Sequence, residues 1–315
     1  MRGGPFYSIR KERRKKMKKN FPMFAAIAFS IIVGFSFLFV KITLMYENQS
    51  LILAQRFLFA FLSIVIFSIV RRVPLRLNKK ETMTILFISI FYPILFFSTQ
   101  IIGLDKTTVT EAGIIQATVP AVTVLFAGLI LKERVNKIQI GGILLSMIGV
   151  VFLQIMGSNG NYEFHLFGNL LIIASVFATA IWQVLSKRTS KTVKPVQIVI
   201  YVITIGFLFF NTLYFINGGT VGEYVSSLGT LQYLGSILFL GVLSTFGTAL
   251  LSIYAISKLP VIQVSVFNNV ATLITILSGI LILNEPFHFY HIIGAIIIIS
   301  GVLIVNLKKG VRKKG

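Results

Sequence analysis

Ten stretches of this chain are long, apolar and without alternating polarity. They run over 22–45, 51–70, 83–103, 111–131, 138–156, 168–186, 196–216, 232–255, 261–283 and 290–307. At a rise of about 1.5 Å per residue, a helix of roughly 20 apolar residues crosses the hydrocarbon core of a bilayer. Backbone in lipid must satisfy its own hydrogen bonds, which leaves helices or closed barrels, and barrel strands alternate in polarity. With 56% hydrophobic and 12% charged residues, the chain carries more apolar surface than a soluble domain hides. The expectation is an all-α integral membrane protein with ten transmembrane helices, the joins near 104–112 and 256–262 being short.

The ten runs are five runs written twice. "LILKE" at 129–133 returns as "LILNE" at 281–285, an offset of 152 positions. At the same offset Lys106 falls on Lys258, Val109 on Val261, Thr123 on Thr275, Gly142 on Gly294 and Gly149 on Gly301. In the first helix of each copy the match places Lys41 on Lys187. The expected organisation is a basic tail (1–20), a first five-helix repeat (21–156), a second (168–307) and a basic C-terminal tail (308–315).

A formal net charge of +21 would suggest nucleic-acid binding in a soluble chain. The distribution points elsewhere. If the N-terminus is cytoplasmic, 27 of the 30 basic residues fall on that side, and the opposite loops hold only Lys106. Lys41 and Arg56 lie within apolar runs. Basic residues set orientation, so both ends are expected in the cytoplasm of a multi-pass plasma-membrane protein. The polybasic segment 10–19 then reads as a topology determinant, and nucleic acid is not an expected partner.

Five spans per copy is an odd number, so the second copy lies upside down relative to the first. Two inverted five-helix repeats related by an in-plane axis are a device of secondary transporters. Exchange of the copies' conformations turns an inward-facing cavity outward.

Each copy ends in a small-residue-containing helix, "LxxE", and a glycine-bearing helix: "GLILKERVNKIQIGGILLSMIGVVFL" and "GILILNEPFHFYHIIGAIIIISGVLIV". Ahead of them stand "GLDKTTVTEAGIIQATVPAVTVLFAG" and "AISKLPVIQVSVFNNVATLITILSG". This resembles the tandem ten-helix EamA branch of the drug/metabolite transporter superfamily, over roughly residues 22–307. One departure is Val33-Gly34, where the first helix of this family often carries Trp-Gly. The resemblance implies transport, more often export, of small metabolites such as amino acids, or of drugs.

Candidate binding residues are polar groups placed where hydrocarbon would otherwise surround them. Gln116 near the start of the fourth helix matches Asn268 in the ninth, which Asn269 follows. Interhelical hydrogen bonding is the competing role for these amides. Tyr92, Ser98 and Gln100 on the third helix, with Ser244, Thr245 and Thr248 on the eighth, could line the same cavity. Arg56 has no counterpart in the seventh run, and a guanidinium at membrane depth costs at least roughly 2.5–3.5 kcal/mol. It reads either as a snorkelling contact to Glu47 or headgroups, or as the group that orients a substrate carboxylate.

Other features carry structural readings. Glu133 and Glu285 precede glycine-bearing helices, where a carboxylate suits the positive end of the dipole. Lys41 and Lys187 suit helix C-termini, the Gly142/Gly149 and Gly294/Gly301 pairs suit close helix packing, and Trp182 suits an interfacial aromatic. Helices 1 and 6 contain no acid, which leaves Glu111, at the outer start of the fourth run, as the acid without a structural reading.

Catalysis finds little support. There is no Cys, which removes thiol chemistry and disulfides, and no phosphate-cradling loop for ATP. His288 and His291 have helical spacing but lack a third ligand beyond Glu285, so neither a metal site nor a cofactor is expected. Expected partners are a small-molecule substrate and the lipid bilayer, with monomer and homodimer both open. A membrane scaffold without transport is the rival reading. A nucleotide-sugar or phosphate-ester antiporter is the other, and it would want more intramembrane cations than Lys41 and Arg56.

Overall fold

A computed structural model of the chain describes residues 5–132, 136–156, 162–259, 261, 264 and 267–306, the side chains at 5–20, 153–154, 162–165, 269 and 305–306 excepted. Among the described residues every regular element is helical. The first helix, Pro5–Leu44, is apolar from Phe21 onward, and α1 denotes that part, Phe21–Leu44. It is followed by α2 (Gln49–Arg71), α3 (Lys79–Asp105), α4 (Val109–Leu131) and α5 (Lys137–Met156). The second copy gives α6 (Leu166–Thr189), α7 (Pro195–Ile216), α8 (Leu231–Lys258), α9 (Asn268–Ile282) and α10 (Phe289–Asn306). Seven of these, all except α5, α9 and α10, are long and apolar enough to cross a membrane by length and composition. The other three are apolar but shorter over their described parts.

Local chemistry sets the helix ends. Asn48 accepts from the Leu51 amide and starts α2, while Asn78 and Glu81 form a capping box at α3. Thr108 starts α4 by accepting from the Glu111 amide at 3.0 Å. Arg72, with φ 47°, closes α2 in the left-handed region.

Four helices, α3, α8, α4 and α9, are irregular over their described parts where the sequence alone reads as continuous. Within α3, Ile90–Leu95 widens to a π-helical turn in which Tyr92 is extended (φ −143°, ψ 114°) ahead of Pro93. In α8 the π-helical segment is Phe239–Gly247, which covers the matching positions. The run 111–131 is broken at Ala117–Thr118, where the amides fall back on Ile114 and Ile115 three residues earlier, and Pro120 has no amide to give. One copy later, Val270 donates to Phe267 in the same way.

Packing exchanges the two copies. The α1 helix lies on α8 and α9, and correspondingly α6 lies on α3 and α4. Three pairs map onto themselves: α2 with α7, α4 with α9, and α5 with α10. The last pair crosses at Ser146, whose hydroxyl donates to Ile298 O at 3.3 Å. A Cβ on Gly301 would lie 2.6 Å from Gly142 O, and one on Gly149 would lie 3.0 Å from Ile298 N. Here close packing is the role of these glycines.

The lysines act across helices rather than at their own helix ends. Lys41 Nζ donates to Leu104 O (2.6 Å) and Thr107 O (2.8 Å). Lys187 Nζ donates to Ile256 O (2.7 Å) and Leu259 O (2.9 Å), the same two positions one copy later. Glu285 likewise serves a helix other than the one it precedes. Its carboxylate accepts from the Val109 amide at 2.7 Å and from the Thr110 amide at 2.8 Å, capping α4 of the other copy. Bare amides at that helix start are what a carboxylate satisfies best. Glu133 lies outside the described residues.

Candidate functional site

Where the two copies meet, α1, α3, α4, α6, α8 and α9 line a cavity of about 70 Å³, with Arg56 of α2 reaching into it. Its walls are largely built from matched positions. Tyr92 faces the cavity with Ser244, Phe96 with Thr248, Gln100 with Ser252 and Gln116 with Asn268. In α1 and α6 the lining pairs are Val33 with Thr179, Ser36 with Trp182 and Phe37 with Gln183.

Helix irregularity puts the polar groups there. Tyr92 leaves the helical path ahead of Pro93, and its ring stacks on Trp182 at 4.6 Å and 22°. Gln116 ends the first half of the broken α4, and Asn268 begins the described α9 beside the equivalent break. Discontinuous helices at membrane depth place polar groups against a cavity, where their cost in hydrocarbon is avoided.

Arg56 is 2% exposed, so the snorkelling contact to Glu47 or headgroups is replaced by burial. Its Nε donates to Thr245 Oγ1 at 2.7 Å and its Nη2 to Ser244 Oγ at 3.0 Å. The guanidinium carbon lies 4.4 Å from the centre of the Phe97 ring, a cation–π contact. Among the described residues no Asp or Glu lines the cavity, so hydroxyls and an aromatic face are what the cation meets. The hydroxyls of α8 explain how the charge is tolerated, and both fall in the π-helical segment.

Several polar groups in the cavity are unspent. Gln116 Nε2 donates to Ser175 Oγ at 2.9 Å, whereas Asn268 Nδ2 has no hydrogen-bond partner among the described residues although Asn268 is only 8% exposed. The hydroxyls of Thr179 and Thr272, also in the wall, are likewise unpartnered there. Buried polar groups are normally satisfied, so three orphans around one void call for a partner that the described residues do not supply.

Of the residues singled out in the sequence, Tyr92, Arg56, Gln116 and Asn268 line this one cavity, as do Gln100, Ser244 and Thr248. Ser98 is not in the wall, Thr245 acts by holding Arg56, and the side chain of Asn269 lies outside the described ones. Trp182 is 4% exposed in the cavity wall, which corrects its reading as an interfacial aromatic. Residues of α1 and α6 were missed because hydroxyls and aromatics in apolar helices carry no signal alone. The match that superposes Lys41 on Lys187 pairs Val33 with Thr179 and Ser36 with Trp182, and could have found them. Among the described residues no group of three or more potential metal ligands gathers.

The model of the EamA-like transporter family matches residues 20–155 and 166–307. The chain is 37% identical over 296 residues to the uncharacterized transporter YcxC of Bacillus subtilis (strain 168), covering 92% of this chain and 95% of that one. To the uncharacterized transporter YetK of the same organism it is 29% identical over 308 residues, covering 96% and 92%. A solved crystal structure superposes with TM-score 0.65 at 16% identity, over 89% of this chain and 95% of the other, which shows a shared fold.

Proposed function

Since the chain belongs to the EamA-like transporter family, we propose that it is a secondary transporter which exports small organic metabolites across the plasma membrane by alternating access. The ten helices then form two inverted five-helix repeats with both termini cytoplasmic. The exchange of packing partners between copies and the matched lysine contacts support that arrangement. The solute sits between the copies, near the helix breaks, and opening passes from one end to the other as the copies trade conformations.

One observation carries the reading: a buried arginine faces a cavity that has no acid among its described lining residues and holds three unpartnered polar groups. A site of this kind complements an acceptor-rich solute bearing one negative charge, such as the carboxylate of an amino or organic acid. Phe37, Phe96 and Phe97 with the Tyr92–Trp182 stack accommodate its apolar part. A phosphate ester is disfavoured, because Lys41 is spent on the carbonyls of Leu104 and Thr107, which leaves Arg56 as the cation of the described wall. A scaffold without transport would have no use for unpaired polar groups around a void.

The test is counterflow in liposomes with a panel of labelled amino acids, organic acids and cationic dyes. Arg56→Gln should reduce transport of the carboxylates roughly 10- to 100-fold, the equivalent of a lost charge-assisted hydrogen bond, with protein yield maintained. Arg56→Lys should recover little, since an ammonium lacks the planar fork. Full activity with lysine would sink the two-pronged carboxylate contact, and absence of counterflow for every solute would sink transport.

A further inference from the structure

A second buried polar cluster lies at the end of the bundle that carries 104–110 and 284–289, away from the cavity. Glu111 in the first turn of α4 is 6% exposed, and His291 in the first turn of α10 is 2% exposed. Glu111 Oε2 accepts from Asn169 Nδ2 of α6 at 2.6 Å and from Thr107 Oγ1 at 3.0 Å. Its other oxygen, Oε1, lies 4.0 Å from His291 Nε2. The carboxylate comes from the first copy and the imidazole from the second.

The other copy shows what this histidine replaces. At the start of α5 the Asn136 amide donates to Gln139 Oε1 at 3.0 Å. At the start of α10 the His288 amide donates to His291 Nδ1 at 3.1 Å, the same cap at the matching positions. Accepting that bond leaves Nδ1 without a proton, so the neutral ring carries its hydrogen on Nε2 and holds it toward Glu111. In sequence, Glu111 falls on Gln263 and His291 on Gln139. One pair of matched positions can take up a proton and the other cannot. Gln263 lies outside the described residues.

We propose that Glu111 and His291 form a proton-binding site, and that loading it clamps this end of the transporter shut. The added proton goes to Nδ1. The ring thereby loses the His288 amide, which had fixed its position, and becomes a cation beside a carboxylate in a water-poor setting. Freed from its cap, it closes the gap to Oε1 and draws α10 onto α4. Loss of the proton restores the cap and lets the two helices part. Neighbouring charges are otherwise engaged: Glu285 caps α4, Lys41 holds the end of α3, and Asp105 pairs with Lys106 at 4.0 Å. Tyr290 on the same helix and His288 just before it lie beside His291 with their rings tilted to it, and the side chain of His165 lies outside the described ones. With this end outside the cell, a proton taken from the medium would close the outer face and travel inward as solute leaves. Only that last step rests on the transporter reading.

Proton loading is reversed by raising the pH, so the clamp is read as a pH-dependent accessibility of this end. The chain has no native cysteine, which gives a clean background. A reporter cysteine replaces Ala112, fully buried next to Glu111, and a reference cysteine replaces Leu231, 83% exposed. Purified full-length protein is labelled with an impermeant maleimide from mildly acid to mildly alkaline pH. The ratio of Ala112→Cys to Leu231→Cys reactivity removes the pH dependence of the reagent that is common to both sites. The expected result is a ratio that rises severalfold from the acid to the alkaline end of that series. It should be flat with His291→Gln and with Glu111→Gln. Both variants install the amide already present at the matching position. The side-chain oxygen introduced by His291→Gln still accepts from the His288 amide, so folding is expected to survive. A flat ratio in the unmodified background, or a rise that persists in both variants, overturns the proposal. The labelling needs no solute, so it stands apart from any failure of the transport assay.

Discussion

Lys41 ties the end of α1 to the carbonyls of Leu104 and Thr107, and Lys187 ties the end of α6 to those of Ile256 and Leu259. The two contacts are the same contact made once in each copy, to within about 0.1 Å. The walls of the cavity are built differently. The first copy supplies Arg56, Tyr92 and four phenylalanines beside Ser36, Gln100 and Gln116, whereas the second supplies Trp182 and a larger set of hydroxyls with Gln183 and Asn268. Duplication has therefore preserved what holds each half together and let the chemistry of the cavity wall diverge. On the transporter reading proposed above, a symmetric frame would let either end open by the same movement, while a solute with a charged and an apolar part would need unlike walls.

The lysine contacts give the largest expected effect on that comparison. Lys41→Met and Lys187→Met should each lower stability by about 2–3 kcal/mol, because each strips a charged donor from two carbonyls. Denaturation in detergent should show similar losses. If only one variant were destabilised, the equivalence of the two copies would fail.

Glu285→Gln comes next. The amide keeps an acceptor for one α4 amide but gives up the charge and the second acceptor, now shared by the Thr110 amide and hydroxyl. A loss of about 1–2 kcal/mol is expected, measured in the same way. An unchanged midpoint would mean that the cap across the copies contributes nothing.

The matched amides should separate with the smallest effect on folding. Gln116→Ala removes the bond to Ser175 and should cost about 0.5–1.5 kcal/mol. Asn268→Ala removes an amide nitrogen that has no partner among the described residues and should leave stability within about 0.5 kcal/mol, yet lower transport as Gln116→Ala does. Normal transport by both variants would make them packing groups and break the link between helix breaks and solute.

Much of the frame was legible in the sequence. Apolar runs located the helices, because hydrocarbon leaves a backbone no other way to pair its groups. A repeat offset located matched residues without any structure. The breaks were not legible: Ala117–Thr118 sits inside an apolar run, and Pro120 alone does not say whether a helix bends, stops or starts. Arg56 was visible as an anomaly, but whether it pointed to headgroups or inward depended on where Ser244 and Thr245 lay, far along the chain. Trp182 read as interfacial because its distance from the helix end was all the sequence offered.

What this sequence determined by itself is periodic and additive: hydropathy, the duplication and the asymmetry of basic charge each accumulate over many residues, and no single contact has to be known. Tertiary structure decided which copy each polar side chain serves. Glu285 precedes α10 yet caps α4, His291 faces Glu111 of the other copy, and Lys41 holds carbonyls that lie beyond α2. These partners are set by helices that pack on the opposite copy, and hydrogen bonds act only over about 3 Å, so linear order carries no trace of them until the chain is folded.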